Sequence, residues 1–166
     1  MADATPRWAL PMLFAGQAQK EIFHNEALTA LDMLLHGVAL SADLATPPTA
    51  PTAGEAWIVA TGATGAWSGR DGRLAGWTEG GWRFVSPRAG LTIYVVDRGH
   101  AMTHDGDGWH DAALQQDGLH LAGVRVVGTR RAAIAAPAGG ATTDAEARDA
   151  IGAILTALRM HGLIES

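Results

Sequence analysis

The sequence predicts an α+β protein with an N-terminal helix, an antiparallel β-meander of short strands rich in tryptophan and glycine, and a C-terminal helix. Three observations predict it. Near both ends apolar residues recur at spacings of three and four, between them short apolar runs alternate with glycine turns, and stretches rich in proline or alanine separate these patterns.

From Gly16 to Leu40 the residues Phe23, Ala27, Leu31, Leu34, Leu35 and Val38 recur at spacings of three and four, while Gln19, Lys20, Glu26 and Asp32 take other faces, and this helix, like the C-terminal one, is expected to make subunit contacts. Pro47, Pro48 and Pro51 lack amide donors and stop the helix within residues 1–45, making 46–54 a stiff linker. Residues 55–131 read as a β-rich body with strands at Ala56 to Ala60, Ala66 to Ser68, Leu74 to Thr78, Trp82 to Val85, Leu91 to Val96 and Val124 to Val127. Asp71-Gly72 and Glu79-Gly80 are its expected hairpin corners. An Ala, Pro and Gly linker over 132–142 leads to a helix over 143–164, opened by the capping box Thr143-Asp-Ala-Glu146. Ala147, Ile151, Ile154, Leu158 and His161 form a seam on it, ended by Gly162, too short to stand free, so Ile151, Ile154 and Leu158 are the expected oligomer contacts.

The chain has 166 residues, enough for one ordinary core. Only 17% of them are charged against 48% hydrophobic, where about 25% charged is usual, so part of the surface is expected to be covered by a partner. Net charge is −5, with lysine and arginine scattered, and no basic stripe exists to neutralise phosphates. Nucleic acid is therefore not an expected partner. No apolar run approaches the roughly 20 residues that span a bilayer, and the start lacks a basic-then-apolar leader, so neither membrane insertion nor the usual secretion route is expected. The absence of cysteine excludes disulfides, thiolate nucleophiles and Cys-ligated zinc.

No catalytic, metal or cofactor site is expected. His100, His104, Asp105, Asp107, His110 and Asp111 have the residue types of metal ligands, but Asp105-Gly-Asp-Gly108 favours a turn, and a calcium loop would place Trp109 at its fifth position with no closing glutamate. Ser68, in Gly65-Ala-Trp-Ser-Gly69, misses the Gly-x-Ser-x-Gly elbow by one residue. Glu21 and His24 on the first helix read as a solvated or subunit-facing surface. Glu55, Asp71, Glu79 and Asp97 supply carboxylates for glycoside hydrolysis without any sign of convergence. Tryptophan is better suited to binding, because its flat face packs on sugars while its indole NH hydrogen-bonds. Most of Trp57, Trp67, Trp77, Trp82 and Trp109 belong in a core or subunit interface, and Trp67 and Trp77, nearest glycine turns, are the candidate saccharide contacts.

The run Leu10-Pro-Met-Leu-Phe-Ala-Gly-Gln-Ala-Gln-Lys-Glu21, with His24-Asn-Glu-Ala-Leu28 and Leu31-Asp32, resembles the opening of phage and prophage proteins that carry domain of unknown function 2793. The resemblance continues through Gly54-Glu-Ala-Trp-Ile-Val59, Gly62-Ala-Thr-Gly-Ala-Trp67, Gly76-Trp77, Gly81-Trp-Arg-Phe-Val-Ser-Pro-Arg88 and Gly90-Leu91, covering Trp8 to Val96. The tail, from Arg125-Val-Val-Gly128 through Asp144 to Arg148 and on to His161-Gly-Leu-Ile164, is similar to segments that end such proteins. The resemblance implies a virion component of the tail-fibre or head-spike kind, with relatives in the gene transfer agents of alphaproteobacteria, where head spikes help attachment to the polysaccharide of recipient cells. It implies no catalytic residues.

The expectation is thus a non-enzymatic spike or fibre base subunit of a phage-like particle. It would be assembled in the bacterial cytoplasm as a homo-oligomer, trimer or pentamer, beside other particle proteins, and would take part in host attachment. The alternatives are a carbohydrate-binding module for host surface polysaccharide and a polysaccharide-degrading enzyme.

Overall fold

A computed structural model describes residues 3–14, 20–136, 138, 144–160 and 163–164. It is mixed α+β and mostly sheet, with a helix toward each end, as the sequence predicts. The chain forms two compact units that meet in sequence between Ala112 and Ala113, inside the segment read as one β-rich body.

In the first unit, helix α1 spans Lys20–Leu34 and ends well short of Leu40. His36 takes φ +45° as the chain leaves the helix, and Gly37 lets it pass close to the sheet, where a Cβ would press on the buried Ile93 side chain. The residues expected to finish the helix instead form strand β1, Val38–Ala39. Beyond it come β2 (Ala56–Ile58), β3 (Leu74–Thr78), β4 (Gly81–Val85), β5 (Thr92–Val95), β6 (His100–His104) and β7 (Trp109–Asp111). The run Ala66 to Ser68 is no strand: Gly65–Trp67 is a 3₁₀ turn bracketed by Gly65 and Gly69 at positive φ.

Two sheets result, in the orders β2-β3-β4 and β1-β5-β6-β7. Every pair is antiparallel except β1 with β5. The chain after β1 bonds to β2, Leu40 N to Ala56 O at 2.8 Å and Ile58 N to Ser41 O at 3.0 Å, and so stitches the sheets together. Ala56, Ile58 and Leu74 of one sheet meet Ile93, Val95 and Met102 of the other in a common core, with Met33 of α1 against Gly76.

A strap over residues 3–14 holds α1 in place. The Asp32 carboxylate is buried and accepts the Thr5 hydroxyl at 2.6 Å, the Trp8 amide at 2.8 Å and the Arg7 amide at 3.0 Å. The Arg7 guanidinium donates to the carbonyls of Asp32, Met33 and His36, which the helix end leaves without partners. Asn25 brackets Leu13, accepting its amide and donating to its carbonyl. The helix face turned to the protein is therefore Asn25, Thr29, Asp32 and Met33, with Leu34 packed against the core, while Phe23 is 78% exposed and Leu31 55%.

The second unit contains β8 (Leu114–Gln115), β9 (Gly118–Leu121) and β10 (Val124–Val127) in an antiparallel meander, then α2, Ala145–Met160. Asp144 Oδ1 accepts the Ala147 amide at 2.8 Å and caps α2, one residue later than the expected start. Thr143, His161 and Gly162 lie outside the described residues. A bridge joins Arg131 to Ile164. Among the described residues of this unit only Leu155 and Ile164 are buried hydrophobics, while β10 is exposed along its whole length.

Asp32→Ala leaves a hydroxyl and two amides without their acceptor, and loss of a charged hydrogen-bond hub is worth about 3 kcal/mol. Urea unfolding is expected to show a loss of that size. Glu26→Gln, at a half-exposed ion pair with Arg83, is expected to cost less than about 1 kcal/mol.

Candidate functional site

The β3–β4 hairpin presents different chemistry on its two faces. Its corner is the two-residue turn Glu79-Gly80, with Thr78 opposite Gly81, Trp77 opposite Trp82 and Ala75 opposite Phe84. The Thr78 hydroxyl donates to Gly81 O and accepts the Gly80 amide, fixing the corner. Because side chains alternate along a strand, Trp57, Ala75, Trp77, Trp82 and Phe84 share one face, and Ala56, Ile58, Leu74 and Val85 point to the common core.

On the aromatic face Trp82 is the centre, its ring 5.0 Å from Trp77, 5.1 Å from Trp67 and 5.5 Å from Trp57, all near edge-to-face. Such geometry sets the positive edge of one ring on the negative face of the next. Arg70 lies over Phe84 at 5.0 Å. Trp67, delivered by the 3₁₀ turn, is completely enclosed, and its indole NH has no acceptor among the described residues. It has no surface to offer a sugar, which corrects the expectation for Trp67; Trp77 is half-buried, as are Trp82 and Phe84. Trp82 and Phe84 are not among the expected contacts, although a Glu79-Gly80 corner already implies the Trp77–Trp82 pairing.

On the other side of the hairpin tip a cleft of about 370 Å³ opens between the strap, α1 and the corner. Glu26 and Arg83 form one wall, paired at 2.9 Å, and Glu79 stands at the rim. The polar groups of Asn25, Thr29 and Thr78 are engaged within the chain, to Leu13, to Asn25 O and across the corner. This wall has little left with which to grip a ligand.

The histidine and aspartate cluster splits into local tasks. Arg98 bonds both Asp43 and Asp111, and His100 Nε2 meets Asp111 at 2.8 Å, tying the loop after β1 to the β5–β6 turn and to β7. The bond to Asp43 raises the Arg98 pKa over the opposing effect of burial, with Asp111 adding to it. Burial pushes Asp111 upward, but its bonds to His100 and Arg98 outweigh that and leave it lowered. Buried His104 accepts the Gly106 amide and packs its ring on Trp109. Asp105 accepts the amides of Gly108 and Asp107 and meets His110 at 2.8 Å. Among the described residues no three histidine or carboxylate side chains converge as metal ligands would.

The carboxylates considered for hydrolysis also serve loops: Asp71 accepts the amides of Gly62 and Ala63, and Glu55 that of Thr52. His24 bonds the Lys20 carbonyl and not Glu21. On α2, Ile151 and Ile154 are exposed and Leu158 is half-buried, with Leu155 alone turned fully inward. No helix among the described residues is long and apolar enough to cross a membrane.

A family model described as a protein of unknown function, DUF2793, matches residues 24–110, more than half of the chain. The chain belongs to this family. The DUF2793 match begins in α1 and ends in β7, so it contains the aromatic face, the hairpin and the Arg98 network up to but not including Asp111. The strap and the second unit lie outside it. No curated protein matches the chain.

Asp105 is held down to about 2 from 3.8 by the amides of Gly108 and Asp107. A lowered carboxylate contributes stability above its unfolded value and loses it as pH falls through the folded one. The turn is therefore expected to stay closed at pH 4 and to open on going from there toward pH 2. Carbon-13 titration of the Asp105 carboxyl should give a midpoint near 2, and a midpoint near 3.8 would contradict the turn geometry.

Proposed function

We propose that the chain is a non-catalytic structural subunit of a phage-like particle, a spike or fibre base that works as a homo-oligomer and takes part in attachment to a host surface. The observation that carries self-association is the second unit. Ordering a backbone costs about 1–2 kcal/mol per residue, and burying one large apolar side chain returns about 1.5–3 kcal/mol. Residues 113–166 bury Leu155 and Ile164 among those described, while Ile151, Ile154, Val124 and Val126 stay exposed. Further copies would cover that surface, and the seam Ile151, Ile154 and Leu158 is where they would meet. The resemblance of the opening run to phage and prophage proteins supports the particle context, with assembly in the bacterial cytoplasm and contact with other particle proteins.

A second reading, carbohydrate binding, is favoured by the half-open Trp77, Trp82 and Phe84 with Arg70 beside them. One subunit can hold both roles, because the aromatic face and the α2 seam use different residues.

Light scattering across a concentration series is expected to give a trimer or pentamer, and Ile151→Glu with Ile154→Glu is expected to dissociate it. A monomer at every concentration would remove the spike reading. Host polysaccharide is expected to quench indole emission, with the response lost in Trp77→Ala; unchanged emission across host polysaccharide fractions would remove the carbohydrate reading.

A further inference from the structure

The aromatic face carries free positive charge at one end. Arg70 and Arg73 are the first and fourth residues of a turn, closed by the Arg73 amide on the Arg70 carbonyl at 3.0 Å, with Gly72 at φ +72°. Arg73 continues β3 by one residue, since its carbonyl accepts the Val59 amide at 2.9 Å, and strand alternation sets it on the side of Ala75 and Trp77. Arg70 reaches the same side from the turn and lies over the ring of Phe84. Unlike those of Arg7, Arg83 and Arg98, neither guanidinium has a hydrogen-bond or ion-pair partner among the described residues. The neighbouring carboxylates are spoken for. Asp71, between the two arginines in the turn, is held by the amides of Gly62 and Ala63, and Glu55, opposite Trp77 at the far end of the face, by that of Thr52.

We infer that this face takes an acidic saccharide, one whose rings carry carboxylates as a hexuronate does, and that Arg70 and Arg73 receive the carboxylate. The inference rests on the carbohydrate reading above and narrows it. A guanidinium stacked on an aromatic ring keeps its donors in its own plane, and that planar fork matches the two oxygens of a carboxylate. The stack also holds Arg70 in one orientation, so less freedom is lost when the acid arrives. Trp77, Trp82 and Phe84 supply the flat apolar surface for the sugar ring. A neutral sugar would use the rings and leave both cations idle. With a net charge of −5 the chain as a whole repels polyanions, so recognition is local and needs rings and carboxylate together.

The probes are alginate, polygalacturonate and hyaluronan, each compared with its carboxyl-reduced form, on the full-length chain, with indole emission and calorimetry as readouts. At least one acidic polymer is expected to bind about 10-fold more tightly than its reduced form, the worth of one charge-assisted pair, and the difference is expected to shrink in high salt. Arg70→Gln with Arg73→Gln is expected to bring the acidic form down to the affinity of the reduced one. Lys20→Gln, the same loss of charge on α1 at the other side of the sheet, is expected to keep the preference. Equal binding of acidic and reduced forms, or a preference that survives the double arginine variant, would overturn the inference and leave the carbohydrate reading standing. No binding of any of these polymers, acidic or reduced, would overturn both.

Discussion

A buried carboxylate decides how the first unit is put together. Asp32 is tolerable inside the protein only because the strap surrounds it with a hydroxyl and two amides, and each replaces water that a charged group cannot give up freely. That requirement sets the rotation of α1 about its own axis. Hydrophobic burial alone would have turned the helix the other way, with Phe23 and Leu31 inside. Arg7 adds direction to the arrangement, since its donors reach three carbonyls at the C-terminal end and the strap cannot slide along the helix without losing them.

The rotation of α1 propagates to the hairpin. With Met33 against Gly76 and Glu26 against Arg83, the helix covers one side of β3 and β4 and leaves the other to tryptophan. The aromatic face is thus not a second core in the usual sense. It is roofed by one turn carrying Trp67, and it stays half open at Trp77, Trp82 and Phe84. The DUF2793 match covers Asp32 and the whole hairpin but not Thr5, Arg7 and Trp8, which satisfy the carboxylate. The family segment of this chain therefore leans on residues outside the match.

What could be read from the sequence was what depends on neighbours. Strand β3 and strand β10 fall where the apolar runs placed them, the Glu79-Gly80 corner is a two-residue turn, and α2 begins within two residues of its capping signal. What could not be read depends on distant partners. The burial of Asp32 on α1 is not legible because Thr5 and Arg7 lie some two dozen residues before it, out of reach of any periodicity. Strand β1 was hidden in the helix pattern, whose end is set by Gly37 passing Ile93. Strands β6, β7 and β9 carry histidine and threonine where an apolar run was sought. Trp67 sat beside glycines, which suggested exposure, yet those glycines bend the chain so that the ring turns inward.

The packing of the indoles also decides what light can report. Trp57, Trp67, Trp77 and Trp82 lie in a chain of ring contacts between 5.0 and 6.1 Å, four of the six tryptophans of the protein. At such spacing excitation migrates among rings faster than any one of them emits, and their transitions couple. The cluster behaves as one chromophore with an antenna buried at Trp67 and an outlet half open at Trp77 and Trp82. Trp8 and Trp109, on the strap and on β7, remain separate reporters of the parts of the first unit that the cluster does not touch.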